Sequence, residues 1–293
     1  MVRYRVTHRT TYVYESVVSS SYGEAHLVPR ALPRQTRLWS EVRIDPDPAD
    51  RRDRVDHFGN DTLYFSLLRP HTQLSVTATS EVEVHTEPPA IEQLPDEPWE
   101  AARQRLHERP TANDIESRQF VLDSPHVTTS AELRDYALGS FAPGRPIAEA
   151  MRHLSSRIHD EFVFDPGTTS VTTTLEEVLA HRRGVCQDFA HLAIGCVRSL
   201  GLPARYVSGY LETDAPPGSP KLQGADASHA WASVYVPGAG WIDVDPTNDT
   251  VVAERHITTA WGRDYSDVPP LKGVIFTEGA TRELTVEVDV VAI

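Results

Sequence analysis

Cysteine is scarce in this chain: its 293 residues include two, Cys186 and Cys196. They fall ten positions apart within one helical pattern, where a rise of about 1.5 Å per residue sets their Cα atoms roughly 15 Å apart. A disulfide needs Cα atoms within about 7 Å. The two are therefore not bridged to each other, and the chain suits a reducing compartment. Basic residues are also in deficit. Lys and Arg number 28 against 42 Asp and Glu, a formal charge of −14. A phosphate backbone would be repelled, which excludes a general nucleic-acid binder. No apolar run approaches the ~18 residues of a membrane span. Met1-Val-Arg-Tyr-Arg-Val-Thr-His8 lacks the apolar segment of a signal peptide. The expectation is a cytoplasmic protein with no membrane partner. There is no Asp-x-Asp-x-Asp loop of the calcium-binding kind, no internal repeat and no low-complexity tract. Nothing in the pattern sets an oligomeric state.

What is present reads as a globular α+β protein. Hydrophobic residues make up 40% of the chain and charged residues 24%, the proportions of an ordinary soluble fold. Residues 1–90 alternate with a period of two: Tyr4, Val6 and His8, then Tyr12 and Tyr14, then Val42 and Ile44. A turn at Phe58-Gly-Asn-Asp61 precedes Thr62–Leu67, and Leu74–Val84 is a long alternating run. Such runs between turns predict a β-sandwich. Pro88, Pro89, Pro95, Pro98 and Pro110 mark residues 91–140 as a connector with a helix near Trp99–His107. A core follows over 141–250. Within it, Ile147, Met151, Leu154 and Ile158 predict a helix over 146–162, and Thr174-Leu-Glu-Glu177 is a capping box. Gly184-Val-Cys186 opens a second amphipathic helix that Gly201 and Pro203 end. Ala204–Leu211 reads as a strand, and Ala230–Val236 with Trp241–Val244 as a hairpin. Residues 251–293 are read as C-terminal strands completing the structure.

Three elements carry chemistry: a cysteine at a helix start, a histidine at a strand start and an aspartate at a strand end. A free thiol is mostly protonated at neutral pH. The partial positive charge of a helix N-terminus stabilises the thiolate. An imidazolium stabilises it further and can protonate a leaving amine. A carboxylate on the far ring nitrogen holds the useful tautomer. Cys186 and His229 fit the first two places. Asp243 and Asp245 share one strand face, and geometry alone does not choose between them.

The segments Arg183-Gly-Val-Cys-Gln-Asp-Phe-Ala-His-Leu192, Ser228-His-Ala-Trp231 and Gly240-Trp-Ile-Asp-Val-Asp-Pro-Thr-Asn248 resemble the three ordered motifs of the transglutaminase-like superfamily. The match is close to its bacterial branch of transglutaminase-like proteins and candidate cysteine proteases. Tyr4–His8, Leu27–Arg30 and Phe58–Asn60 resemble that branch's N-terminal β domain, and Gly262–Pro269 its C-terminal signature. The resemblance implies a papain-like core and a triad of Cys186, His229 and Asp245, the Asp-Pro-Thr match selecting Asp245. It implies action on a peptide or protein amide through a thioester acyl-enzyme, by peptide cleavage, deamidation or acyl transfer. The competing reading is a binding module that keeps the fold without turnover. Hydrolysis is favoured over transfer because water is ubiquitous, whereas transfer needs a site that excludes it.

The remaining polar and aromatic residues divide between structure and site. Gln187 belongs to the cysteine motif and joins the candidate substrate-binding set with Trp231, Trp241, Arg263, Asp264 and Tyr265. The plainer reading makes the tryptophans core and wall of the hairpin, and residues 263–267 a salt-bridged turn. Asp188, in the first helical turn, suits the helix dipole. Cys196, His8, His191 and His256 are read as structural. Zinc would want about four ligands, and only Cys186, His229 and a carboxylate converge, so no metal or cofactor is expected.

Overall fold

The computed structural model describes residues 1–85, 91–167, 173–213 and 228–293. Pro88 and Pro89 of the expected connector lie outside the described residues. The first region comprises β1 (Val2–Val18), β2 (Ser20–Ala25), β3 (Gln35–Asp45), β4 (Asp50–Val55), β5 (Asp61–Leu67) and β6 (His71–Val84). The alternation along β1 buries Tyr4, Val6, His8 and Thr10 and leaves Arg3, Arg5 and Arg9 to solvent. That is the one-sided pattern of an antiparallel sheet covered on one face.

Five helices and several short elements follow: α1 (Trp99–Glu108), α2 (Ala112–Ser117), α3 (Ala131–Leu138), α4 (Ile147–Glu161), β7 (Val163–Phe164), α5 (Leu175–His181) and β8 (Arg183–Gly184). Next come α6 (Cys186–Ser199), β9 (Ala204–Leu211), β10 (Ser228–Val236), β11 (Gly240–Asp245), β12 (Thr250–Val251) and β13 (His256–Gly262). The chain then returns to the first region through β14 (Leu271–Phe276) and β15 (Thr281–Ala292). One sheet runs β15-β1-β6-β3 and its partner β14-β2-β5-β4. Tyr14, Val42, Phe65, Leu67 and Val76 pack between them. The sandwich is therefore built from both ends of the chain, Tyr4 pairing with Ala292 and Thr10 with Val286.

The second region is an antiparallel sheet, β12-β11-β10-β9-β13, with α6 packed against it. Ile147, Met151, Leu154 and Ile158 of α4 bury into the same core as Phe189, Leu192, Ala193, Cys196 and Val197 of α6. Residues 91–140 are more than a connector. Trp99, Ala102 and Leu106 of α1 and Leu133 and Tyr136 of α3 bury in that core, so the segment walls the α/β region.

Two amides of the sandwich grip β13 and fix the regions together. Gln35 donates to Thr258 O and accepts from Thr258 N, both at 2.8 Å. Asn60 donates to Trp261 O at 2.8 Å and accepts from Trp261 N at 3.0 Å. Each satisfies a backbone donor and acceptor that a buried strand cannot leave bare.

Candidate active site

The start of α6 is set by Asp188. Its carboxylate accepts the Val185 N–H at 2.8 Å, closing the helix's first turn with negative charge at the positive end of the dipole. Gly184 is required there, because a Cβ at that position would lie 2.8 Å from Asp188 Cβ and Oδ2. At the other end Gly201 takes φ +77° and donates to Arg198 O at 2.8 Å. The half-buried Cys186 is the first residue of α6, and both cysteines are free. Cys196 is fully buried in the apolar stripe, and burial pushes its thiol up to about 12. It is a core residue.

β10 and β11 deliver the partners. His229 stands at the second position of β10 and Asp245 at the last of β11. Trp231 lies opposite Asp245, one step beyond the Ala232–Val244 pair of the register, so His229 and Asp245 are diagonal neighbours. His229 Nε2 donates to Asp245 Oδ2 at 2.7 Å. Cys186 is close enough to raise the pKa of the same ring, and Nε2 is committed to the carboxylate.

Asp245 is fully buried and its oxygens are saturated. Oδ1 accepts from the backbone of Thr247 at 2.9 Å and of Asn248 at 3.3 Å. Oδ2 accepts from His229, from Asn248 Nδ2 at 2.7 Å and from His256 Nε2 at 3.1 Å. Burial would raise its pKa, but the two imidazole contacts outweigh it and hold the carboxyl far below the usual range. Burial likewise opposes charge on His229, yet the bonds to Asp245 and Cys186 prevail and lift it to about 10. His256 goes the other way, its pKa lowered because burial exceeds its share of the same carboxylate. The site holds one imidazolium-prone ring, one neutral ring and one permanent carboxylate.

Ligand atoms of His229, Asp245 and His256 lie within 4.8 Å of one another. A cation there would have to displace the hydrogen bonds that already fill both oxygens of Asp245, so the arrangement reads as a hydrogen-bonded cluster.

These motifs and this architecture match known proteins. A model of the bacterial transglutaminase-like N-terminal region matches residues 4–83, and one of the transglutaminase-like superfamily matches residues 135–246. The chain belongs to the transglutaminase-like superfamily. An uncharacterized protein of Mycobacterium tuberculosis is 47% identical over 295 residues, covering 99% of this chain and 92% of that one. A protein-glutamine gamma-glutamyltransferase of Pseudomonas aeruginosa is 32% identical over 109 residues, 36% of this chain and 16% of its own length. The crystal structure of a candidate cysteine protease from Cytophaga hutchinsonii superposes with a TM-score of 0.76 at 19% identity, covering 100% of this chain and 91% of that one. It shares the fold.

The other expected site residues sort differently. Gln187 is half-buried beside Cys186. Trp231 is completely buried, edge-on to His256 at 5.3 Å, and offers no surface to a substrate. Trp241 is half-exposed and packs on Phe120 and Tyr235. Arg263 is spent on a two-pronged pair with Asp267 at 2.9 Å. Asp264 is fully buried and accepts from His126 N at 2.7 Å and Ser266 N at 2.8 Å. Arg263 and Asp264 therefore build a turn. Tyr265, carried on that turn, is half-buried near Tyr206, whose phenol is held far above its usual range by burial and then by Cys186. Sequence reasoning missed His256 and Asn248 as partners of Asp245. Asn248 stands within the third motif, which was a signal; His256 opens a strand whose pairing no local pattern reveals.

Proposed function

We propose that the protein is a cysteine-dependent amide hydrolase or acyltransferase acting on a peptide-like amide. The observation that carries this is the His229 ring bonded to a buried carboxylate at 2.7 Å, with the thiol at the head of α6 acting on the same ring. Cys186 Sγ attacks the amide carbonyl carbon while the carbonyl electrons move onto oxygen. Backbone N–H groups at the start of α6 supply positive dipole near that charge. Collapse expels the amine, which takes the Nδ1 proton of His229, and leaves a thioester on Cys186. A second nucleophile then attacks the thioester, gives its proton to His229 and releases the thiolate. Water as that nucleophile gives hydrolysis and an amine gives transfer; ubiquitous water favours hydrolysis. Asp245 keeps the ring aimed throughout and stabilises its charge whenever it carries the second proton, while His256 and Asn248 fix Asp245. Kinship with a Pseudomonas enzyme named for γ-glutamyl transfer from protein glutamine supports the same acyl chemistry. A reducing compartment, such as the cytoplasm, would keep the thiol active.

The test is alkylation of Cys186 by iodoacetamide at pH 6, read by intact-protein mass. Cys186 should react far faster than an ordinary thiol, and His229→Ala should remove that excess. Equal rates in both proteins, at the value of a free thiol, would sink the enzyme reading and leave the binding module.

A further inference from the structure

A second site lies further along the same sheet. Arg205 on β9, Ser233 on β10 and Asp243 on β11 stand in register across three strands. This row is four residues beyond His229 on β10, roughly 13 Å at about 3.3 Å per residue. The Arg205 guanidinium is sandwiched between two indoles, 4.2 Å from the centre of Trp241 and 3.7 Å from that of Trp261. Arg205 is only 7% exposed. Its Nε has no hydrogen-bond partner, and no acceptor for its other N–H groups is found among the described residues. Asp243 attracts it through space and sits 3.7 Å from Arg34. Burial lowers the pKa of Arg205 to about 9, so it stays charged at neutral pH. A buried guanidinium carries five donors in a rigid fork, and leaving them unmade is costly.

The fork opens into a groove of about 630 Å³, within the roughly 300–1,000 Å³ of ligand sites. Its wall is a chain of aromatic rings: Phe58 to Phe120 at 5.7 Å, Phe120 to Trp241 at 5.1 Å and Trp241 to Tyr235 at 5.3 Å. Three parts of the chain make it. Phe58 comes from the turn between β4 and β5, Glu116 and Phe120 from α2 and the segment after it, and the rest of the aromatic wall from the sheet. His57 bonds Gln119 at 2.8 Å across the first two. Arg30 also lies over the Trp261 ring, 3.5 Å from its centre. The sandwich thus contributes a wall to a site on the α/β region.

We propose that this groove is an exosite for a peptide segment in which an apolar residue adjoins a carboxylate. The carboxylate takes the Arg205 fork two-pronged, the geometry guanidinium favours, and the apolar side chain lies on the Phe120–Trp241 wall. Arg205 is the one guanidinium among the groove's lining residues, and with Asp243 and the groove's Glu116 nearby it suits a singly charged group better than a phosphate dianion. The extended aromatic wall calls for more than a small free acid.

The test uses the full-length Cys186→Ala protein, so that binding is read apart from turnover and from the fate of the triad assignment. Tryptophan emission is titrated with N-acetyl-Phe-Glu amide, N-acetyl-Phe-Gln amide and acetate. The glutamate peptide should give a saturable change, with the glutamine peptide and acetate each at least tenfold weaker. Phe120→Ala, which keeps both indoles, should weaken the glutamate peptide at least tenfold. Arg205→Lys should do the same with an unchanged far-UV spectrum, since lysine keeps charge but loses the fork. If Arg205→Lys does not fold, the peptide pair and Phe120→Ala decide. No saturable change, equal binding of both peptides, or acetate matching the glutamate peptide would each overturn the proposal.

Discussion

Two buried aspartates, Asp245 and Asp264, each act on a neighbouring histidine, one through hydrogen bonds and the other through space. Asp245 touches imidazole nitrogens directly, at 2.7 Å and 3.1 Å. Asp264 spends its oxygens on backbone and hydroxyl donors, His126 N and Ser266 among them. The neighbouring His191 instead accepts the Tyr265 N–H on Nε2 at 3.1 Å and stacks on His126 at 5.6 Å. His229 is lifted to about 10, while burial drives His191 well below the ordinary imidazole range. Burial alone makes a histidine neutral. A carboxylate in contact with the ring reverses that at His229, where Cys186 adds to it, but not at His256, which shares the same carboxylate.

The comparison breaks most sharply at the carboxylates. Asp245→Ala should cut turnover by at least about 10³-fold and cost about 3 kcal/mol of stability, since two rings lose a buried partner. Kinetics on a peptide amide and a urea melt read the two effects. Asp264→Ala should cost about 2 kcal/mol, the loss of charge-assisted hydrogen bonds, yet leave the Cys186 alkylation rate unchanged. Comparable loss of thiol reactivity in both variants would erase the distinction.

Much of this was legible in the chain itself, and what was not has physical reasons. The helix over 146–162 appears as Ile147–Glu161 because its apolar face repeats at helical spacing. The Thr174 capping box closes as written. β4 could not be read: all six of its residues are exposed, so Asp50–Val55 has no alternation. β14 and β15 join the N-terminal sandwich through contacts more than 200 residues apart in sequence, which no local window holds. The approach of His229 to Asp245 was legible because each sits in a local motif. The second grip of Asp245 on His256 was not, since it depends on β13 pairing with β9.

The charge on His229 offers a finer test. Its folded pKa lies above the unfolded value of about 6.5 at about 10. The stability it contributes is complete below the lower value and is lost as pH rises through the upper one. Its ring proton resonance, assigned by difference from His229→Gln, should titrate near pH 10. In Asp245→Asn the midpoint should fall toward the ordinary range. A midpoint unmoved by that substitution would mean Asp245 does not set the charge.

His191 should tilt stability the other way, and weakly. Protonating its Nε2 would break the bond from Tyr265 N, so the folded state resists a proton that the unfolded chain accepts below about pH 6.5. Stability therefore falls as pH drops through that value. His191→Gln keeps an acceptor for Tyr265 but cannot titrate. At pH 8 it should differ from the parent by less than about 1 kcal/mol, and its loss of stability between pH 6.5 and 5 should be shallower in urea melts. An identical slope would place that acid sensitivity elsewhere and remove His191 as the counterweight to His229.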